Sequence, residues 1–216
     1  YFWDANKYVS HQINVVNINY VKLFNTSSEF QNILNNNLFL QSSFEQQFIA
    51  GLTYNITYSE LGKNDHRSQL FVSSNLDLAG NALSLLASSD VPNKKTFLGL
   101  KYAQYAKIDV DFRDYRRLGK EETFVARCYA GMGIPYGNSK VLPFTKQFFA
   151  GGPNSIRGFV SRSIGPGSYK GTNKSAFFDS SGDLRLETNL EYRFPIYSLI
   201  KGAMFADAGN VWLYHK

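Results

Sequence analysis

The chain has 216 residues, a net charge of +6 from 23 Lys and Arg against 17 Asp and Glu, one cysteine and an aromatic share of 16%. So much apolar surface excludes a disordered chain, and a lone Cys128 excludes both a disulfide-stapled module and a Cys-rich zinc site. No apolar run approaches the ~18 residues of a spanning helix, whereas a β-barrel stays open, because its tilted strands need only about 9 to 11 alternating residues.

No basic-plus-apolar leader follows Tyr1, so the chain reads as an internal piece of a longer polypeptide. Residues 13–21 form the first strand-like run. The long connection 25–43 offers one helical turn at Glu29, Phe30, Ile33 and Leu34, and its Asn-rich remainder argues against more. Residues 44–58 set Phe44, Phe48, Ala50, Leu52, Tyr54, Ile56 and Tyr58 against Glu45, Gln47, Thr53, Asn55 and Thr57. After a short turn at 61–67 comes a weaker run at 70–78, then a long connection at 82–95. In 98–113 the even positions are apolar but for Gln104, and the odd ones include Lys101, Lys107, Asp109, Asp111 and Arg113. A short turn at 117–122 leads to 124–134, whose even side is apolar and whose odd side holds Arg127, Tyr129, Gly131 and Gly133. The longest connection, 136–183, precedes 184–194, where Leu184, Leu186, Thr188, Leu190, Tyr192 and Phe194 oppose Asp183, Arg185, Glu187, Asn189, Glu191 and Arg193. A short turn, 195–201, joins this to 203–213. About seven antiparallel strands with alternating short and long connections make an up-and-down all-β meander whose large loops share one end.

Alternation alone also fits a soluble sandwich. Strand length decides: soluble strands cluster near 5 to 6 residues, and these runs last about 10 to 16, enough to cross hydrocarbon at a tilt. Aromatics gather near strand ends, at Phe44 and Tyr58, Tyr115, Tyr192 and Phe194, Trp212 and Tyr214, as in the girdles of membrane proteins. The polar face carries both signs, and Lys107, Asp109, Asp111 and Arg113 read as an ion network facing a wet lumen. Because a spanning sheet must close, an odd count of strands implies that others lie outside the sequence.

The sharpest local signal is QFFAGGPNSIRGFVSRSIGPG, residues 147–167, followed by strands reading LETNLEYRFPI and GAMFADAGNVW. Turns need Gly and Pro, but not an Arg flanked by Ile156, Gly158 and Phe159. Parity puts Glu191 on the polar face. Asp207, the one carboxylate in an apolar run, is costly toward lipid and should turn inward to a cation.

IRGF at 156–159, NLEYRFP at 189–195 and FADAGNVW at 205–212 resemble, in order and approximate spacing, the carboxy-terminal part of the bacterial surface antigen superfamily. That group comprises outer-membrane protein insertases, translocation-and-assembly-module barrels and two-partner secretion transporters. The resemblance is strongest from about 148 to 212. It implies an antiparallel transmembrane β-barrel of about sixteen strands, of which residues 1–216 would be a part lacking periplasmic domains and the first and last strands. It further implies that 136–182 is an extracellular loop folded into the lumen, where Arg157 meets Asp207 and Glu191, with Gly158 and Phe159 turning and packing the tip against the wall. A bidentate guanidinium there would act as a lock, whose loss lowers stability and activity and whose charge swap partly restores both.

The implied function is outer-membrane protein insertion, assembly or translocation in a Gram-negative bacterium, closest to the translocation-and-assembly-module type. The alternatives are a two-partner-secretion-type transporter or the barrel anchor of an upstream hydrolase. No enzyme activity and no cofactor is expected. His11, His66 and His215 are too dispersed for a metal, and no G-x-S-x-G element is present. Expected partners are outer-membrane lipid and lipopolysaccharide, the latter through Lys94, Lys95, Lys140, Lys146, Arg162, Lys170 and Lys174. Client outer-membrane proteins and periplasmic or lipoprotein accessory subunits complete the set. Nucleic acid is not expected, since the basic residues form no stripe.

Overall fold

A computed structural model describes all residues except 64, 87, 92–93, 98, 169–179 and 215–216, and it leaves out the side chains of 38, 39, 88–91 and 94. Lys170, Lys174, Leu98 and His215 therefore lie outside the described residues. Eight strands form one antiparallel sheet: β1 (Phe2–Asp4), β2 (Val9–Val21), β3 (Gln47–Ser59), β4 (Ser68–Ala79), β8 (Tyr105–Arg117), β9 (Thr123–Pro135), β10 (Leu184–Tyr197) and β11 (Ile200–Trp212). The sheet is open, with β1 and β11 at its edges. Apart from β1, each of these strands has 12 to 14 residues.

Register confirms the two faces. Asn75 pairs with Asp109, Asp111 with Tyr129, and Arg127 with Asn189, so the odd, polar positions of β4, β8, β9 and β10 line up across one side. Opposite them, Ile108, Val110, Phe112, Ile134, Leu186, Leu190 and Met204 are exposed, as residues bound for lipid would be. β2 keeps this rule by breaking phase. Its ladder to β3 shifts between Asn14 and Asn17, where Val15 and Val16 together stand opposite the single residue Leu52, one residue in excess, and both are exposed. Gln12 and Asn14 before the bulge and Asn17 and Asn19 after it thus stay on the polar side, which an unbroken period of two would forbid.

The structure corrects several sequence expectations. β1 is an additional strand, too short to show alternation. The loop after β2 holds two helices, α1 (Ser28–Asn35) and α2 (Leu38–Ser43), rather than one turn. Caps explain it: Ser27 Oγ accepts from the Phe30 N–H at 3.2 Å and Asn37 Oδ1 from the Leu40 N–H at 3.1 Å, which offsets the poor propensity of asparagine. The loop after β4 holds α3 (Asn81–Leu86) and a small sheet of β5 (Ser88–Val91), β6 (Lys94–Phe97) and β7 (Leu100–Lys101). β8 starts only at Tyr105, because Gln104 turns aside to bond Ser139 Oγ and the Asn138 N–H across the cap. Of the expected girdle, Phe44 is off-strand, stacked on Phe144 at 4.2 Å, and Tyr115 lies on the polar face beside Arg113 and Arg127.

All three long loops cap one end. Ile49, Ala79, Ala103, Tyr105 and Leu142 form one buried cluster, and Phe148, Ala150, Ile156 and Val211 form a second.

Candidate functional site

The loop between β9 and β10 lies on the polar face of the sheet. Glycines in β9 make room for it: a Cβ on Gly131 would stand 2.6 Å from the Phe148 ring, and one on Gly133 2.6 Å from Leu142 Cδ1. Overpacking costs about 1 to 3 kcal/mol. Gly131→Val should therefore leave strand content intact, lower the temperature at which the folded form converts to the slow-migrating band on a semi-native gel, and expose the loop to protease.

Two side chains fasten the loop's first half. Gln147 is buried. Its amide donates to Ser43 Oγ at 2.9 Å and to Leu142 O at 3.1 Å, and its carbonyl accepts from Ser181 Oγ at 2.6 Å, joining the β2–β3 loop to both ends of this one. Lys146 Nζ reaches Asp77 Oδ2 on β4 at 2.8 Å, where Tyr105 Oη also donates.

The loop tip is held by Arg157. Its Nε and Nη2 donate to Asp207 Oδ2 and Oδ1, both at 2.8 Å, and its own backbone N–H donates to Oδ2 at 2.9 Å. Nη1 donates to Glu191 Oε2. The guanidinium lies 3.9 Å above the Phe205 ring, and a planar, delocalised cation suits that stacking as well as the fork. Flanking carboxylates push the Arg157 guanidinium still further above its usual range, so it is charged at every relevant pH. Asp207 and Glu191 come from neighbouring strands, β11 and β10, and Asn189 Nδ2 ties Asp207 Oδ1 to the loop by donating to it and to Ser155 O.

Around the tip, Ile156 is buried in the second apolar cluster, and Gly158 turns the chain at φ +86°. Phe159 is not buried against the described strands. Its ring is 57% exposed, and what closes the turn is its carbonyl, which accepts from the Gly152 N–H at 2.9 Å.

Hydrogen bonds do not join all four of Lys107, Asp109, Asp111 and Arg113 to one another. Asp111 binds Arg113 bidentately, while Lys107 lies 4.1 Å over the Phe148 ring and Asp109 accepts from Asn75. The network that does form runs across strands. Arg127 on β9 donates to Asp111 on β8 and to Glu187 and Asn189 on β10, and Arg185 and Ser155 Oγ also donate to Glu187. Sequence reading passed over Arg127, Glu187 and Ser155. The usable signal was parity, which already placed Arg127 and Glu187 on the polar face of successive strands. Arg113, Arg127, Arg157, Asn189 and Glu191 line a cavity of about 490 Å³ beside the tip. Among the described residues, no group of three or more His, Cys, Asp or Glu is placed to hold a metal.

The arrangement fastens a loop. Charge-assisted bonds join its described residues to β4 through Asp77, to β9 through Arg127, to β10 through Glu187 and Glu191, and to β11 through Asp207. The chain as a whole is similar to known proteins. Residues 2–216 match the model of the Omp85 superfamily domain. The outer membrane protein assembly factor BamA of Neisseria meningitidis is 30% identical over 100 residues, covering 44% of this chain and 12% of that protein. The sorting and assembly machinery component 50 homolog of Homo sapiens is 34% identical over 113 residues, 50% of this chain and 23% of that protein. The crystal structure of BamA from Haemophilus ducreyi lacking POTRA domains 1–3 superposes with a TM-score of 0.64 at 15% identity, over 98% of this chain and 40% of that one, a likeness of fold. The chain thus spans well under half the length of the relatives it matches.

Proposed function

This chain belongs to the Omp85 superfamily, and from that premise we propose that it is part of the barrel of an outer-membrane protein assembly factor, of the translocation-and-assembly-module type, in a Gram-negative bacterium. The eight strands make up about half of a closed wall of some sixteen, and residues 136–182 are its lumen loop. The observation that carries the reading is the clasp of one loop guanidinium by carboxylates on two strands, Asp207 and Glu191, with Asp207 almost wholly buried. A loop fixed in register in this way closes the lumen and braces the wall against which client strands fold, and the protein works by strand exchange rather than by bond chemistry. Phe159 and the still more exposed Val160 are then covered by the opposite wall.

Client outer-membrane proteins and periplasmic or lipoprotein accessory subunits are the partners this function requires. The exposed apolar face meets lipid, and the exposed Lys95 and Lys140 on the loop side meet lipopolysaccharide phosphates, whereas Arg162 is half-buried against Phe144 and Phe149. Reconstituted in liposomes, the natural protein should speed insertion of a urea-unfolded barrel client, read as protease-protected folded product, and Arg157→Ala should reduce that rate at equal protein load. Steady ion conduction without any gain in client folding would instead mark a passive porin.

A further inference from the structure

The hairpin joining β10 and β11 is unlike the other short turns. β9 pairs with β10 only as far as Thr123 opposite Arg193, and from Phe194 to Ile200 the hairpin runs on, paired to itself. The ladder shifts between Pro195 and Tyr197, making Ile196 an extra residue. Ile196 Cδ1 and Phe194 Cζ both come to 3.0 Å from where a Gly202 Cβ would stand, so both side chains lie over the same face, and Phe194 stacks on Tyr192 at 5.5 Å. That is the face of Leu186 and Leu190. Beyond it Ile196, Tyr197, Leu199 and Ile200 are 61%, 77%, 93% and 60% exposed, with no charge between Arg193 and Lys201. The turns 61–67 and 118–122, by contrast, carry Lys63, Asp65, Arg67, Lys120, Glu121 and Glu122.

The geometry points to this hairpin as a membrane-interface anchor, seated in the headgroup and upper acyl layer of the leaflet at the short-turn end. The apolar patch is continuous with the lipid-facing wall, and Lys201 together with the exposed Arg117 and Lys120 of the next turn supplies cations at the depth of anionic phosphates. An apolar tip framed by aromatics and cations partitions to that interface, whereas in water it would be a sticky patch. Because β10 and β11 also carry Glu191 and Asp207, the anchor holds the clasp strands at fixed depth.

The inference rests on the outer-membrane reading, and one experiment separates the two. In the natural protein with Cys128→Ser and any cysteine outside residues 1–216 likewise replaced by serine, Leu199→Cys carries an environment-sensitive NBD probe, with Leu190→Cys as the mid-wall reference, in nanodiscs of phosphatidylethanolamine and phosphatidylglycerol. Both probes should emit blue-shifted, be quenched by lipid-borne doxyl groups and resist aqueous iodide. Iodide quenching at 199 with lipid quenching at 190 would overturn the anchor and leave the barrel standing. Protection at 199 from both quenchers would mean that protein covers the tip, and would overturn it too. Iodide access at both sites would remove the membrane reading itself.

Discussion

Arg157→Ala should release the 136–182 loop while leaving the sheet paired. The substitution removes three side-chain hydrogen bonds and the stacking on Phe205, and it leaves Asp207, whose side chain is 3% exposed, facing only the Asn189 amide and the backbone N–H of position 157. Stripping one partner from a buried pair costs about 3 to 5 kcal/mol. Because the arginine sits on a loop, that cost falls on docking rather than on strand pairing, so limited proteolysis in nanodiscs should cut the loop far faster than in wild type. Equal protection in both would remove the clasp as a determinant. Arg157→Ala with Asp207→Asn should cost less than Arg157→Ala alone, since no uncompensated charge remains. The reversed pair, Arg157→Asp with Asp207→Arg, should restore little, against the partial rescue that the isolated pair suggests. An aspartate at 157 would face Glu191, and the backbone N–H there, now donating to Asp207, would face a cation. Adding Glu191→Gln to the swap should improve it.

How much of this was legible in the sequence depends on what each feature depends on. The wall was legible, because lipid on one side and water on the other impose a period of two that Leu184 through Phe194 or Ile108 through Phe112 display directly. Asp207 was legible for the same reason, a carboxylate where the pattern demands something apolar or inward. The cap was not: α1 and α2 exist through Ser27 and Asn37 caps and the edge contact of Phe30 on Phe44 at 5.4 Å, tertiary facts that outweigh asparagine's poor helix propensity. The end of the 98–113 run was equally hidden, since Gln104 breaks it only by bonding a loop more than thirty residues away. Lys107 to Arg113 looked like a network because successive odd positions alternate in sign. On a strand such residues are i and i+2, and Asp111 answers both Arg113 on its own strand and Arg127 across the ladder. Cross-strand pairing depends on register, which alternation does not specify.

The largest effect on the sheet itself should come from Glu187→Ala. Its carboxylate has no exposed surface and receives Arg127 Nη1 at 2.6 Å, Arg185 through Nη2 and Nε, and Ser155 Oγ at 2.7 Å. Both guanidiniums lie over the Tyr129 ring, at 5.4 and 4.5 Å. Without the glutamate two largely covered cations share that ring with Asp111 as the carboxylate left to answer Arg127, so the loss is a missing attraction plus a new repulsion, up to about 3 to 5 kcal/mol. Unlike Arg157, these partners stand on β8, β9 and β10, and the penalty falls on the wall. Thermal conversion on semi-native gels should therefore drop more than for Arg157→Ala, and loop proteolysis should rise as well, because Ser155 loses its acceptor. Glu187→Gln keeps shape and one acceptor oxygen and should fall between. Asn189 and Ser155 bind both halves of the site, so Arg157→Ala and Glu187→Ala together should cost less than their sum. Strict additivity would mean that clasp and wall are independent, and that the loop rests on a surface it does not help to hold.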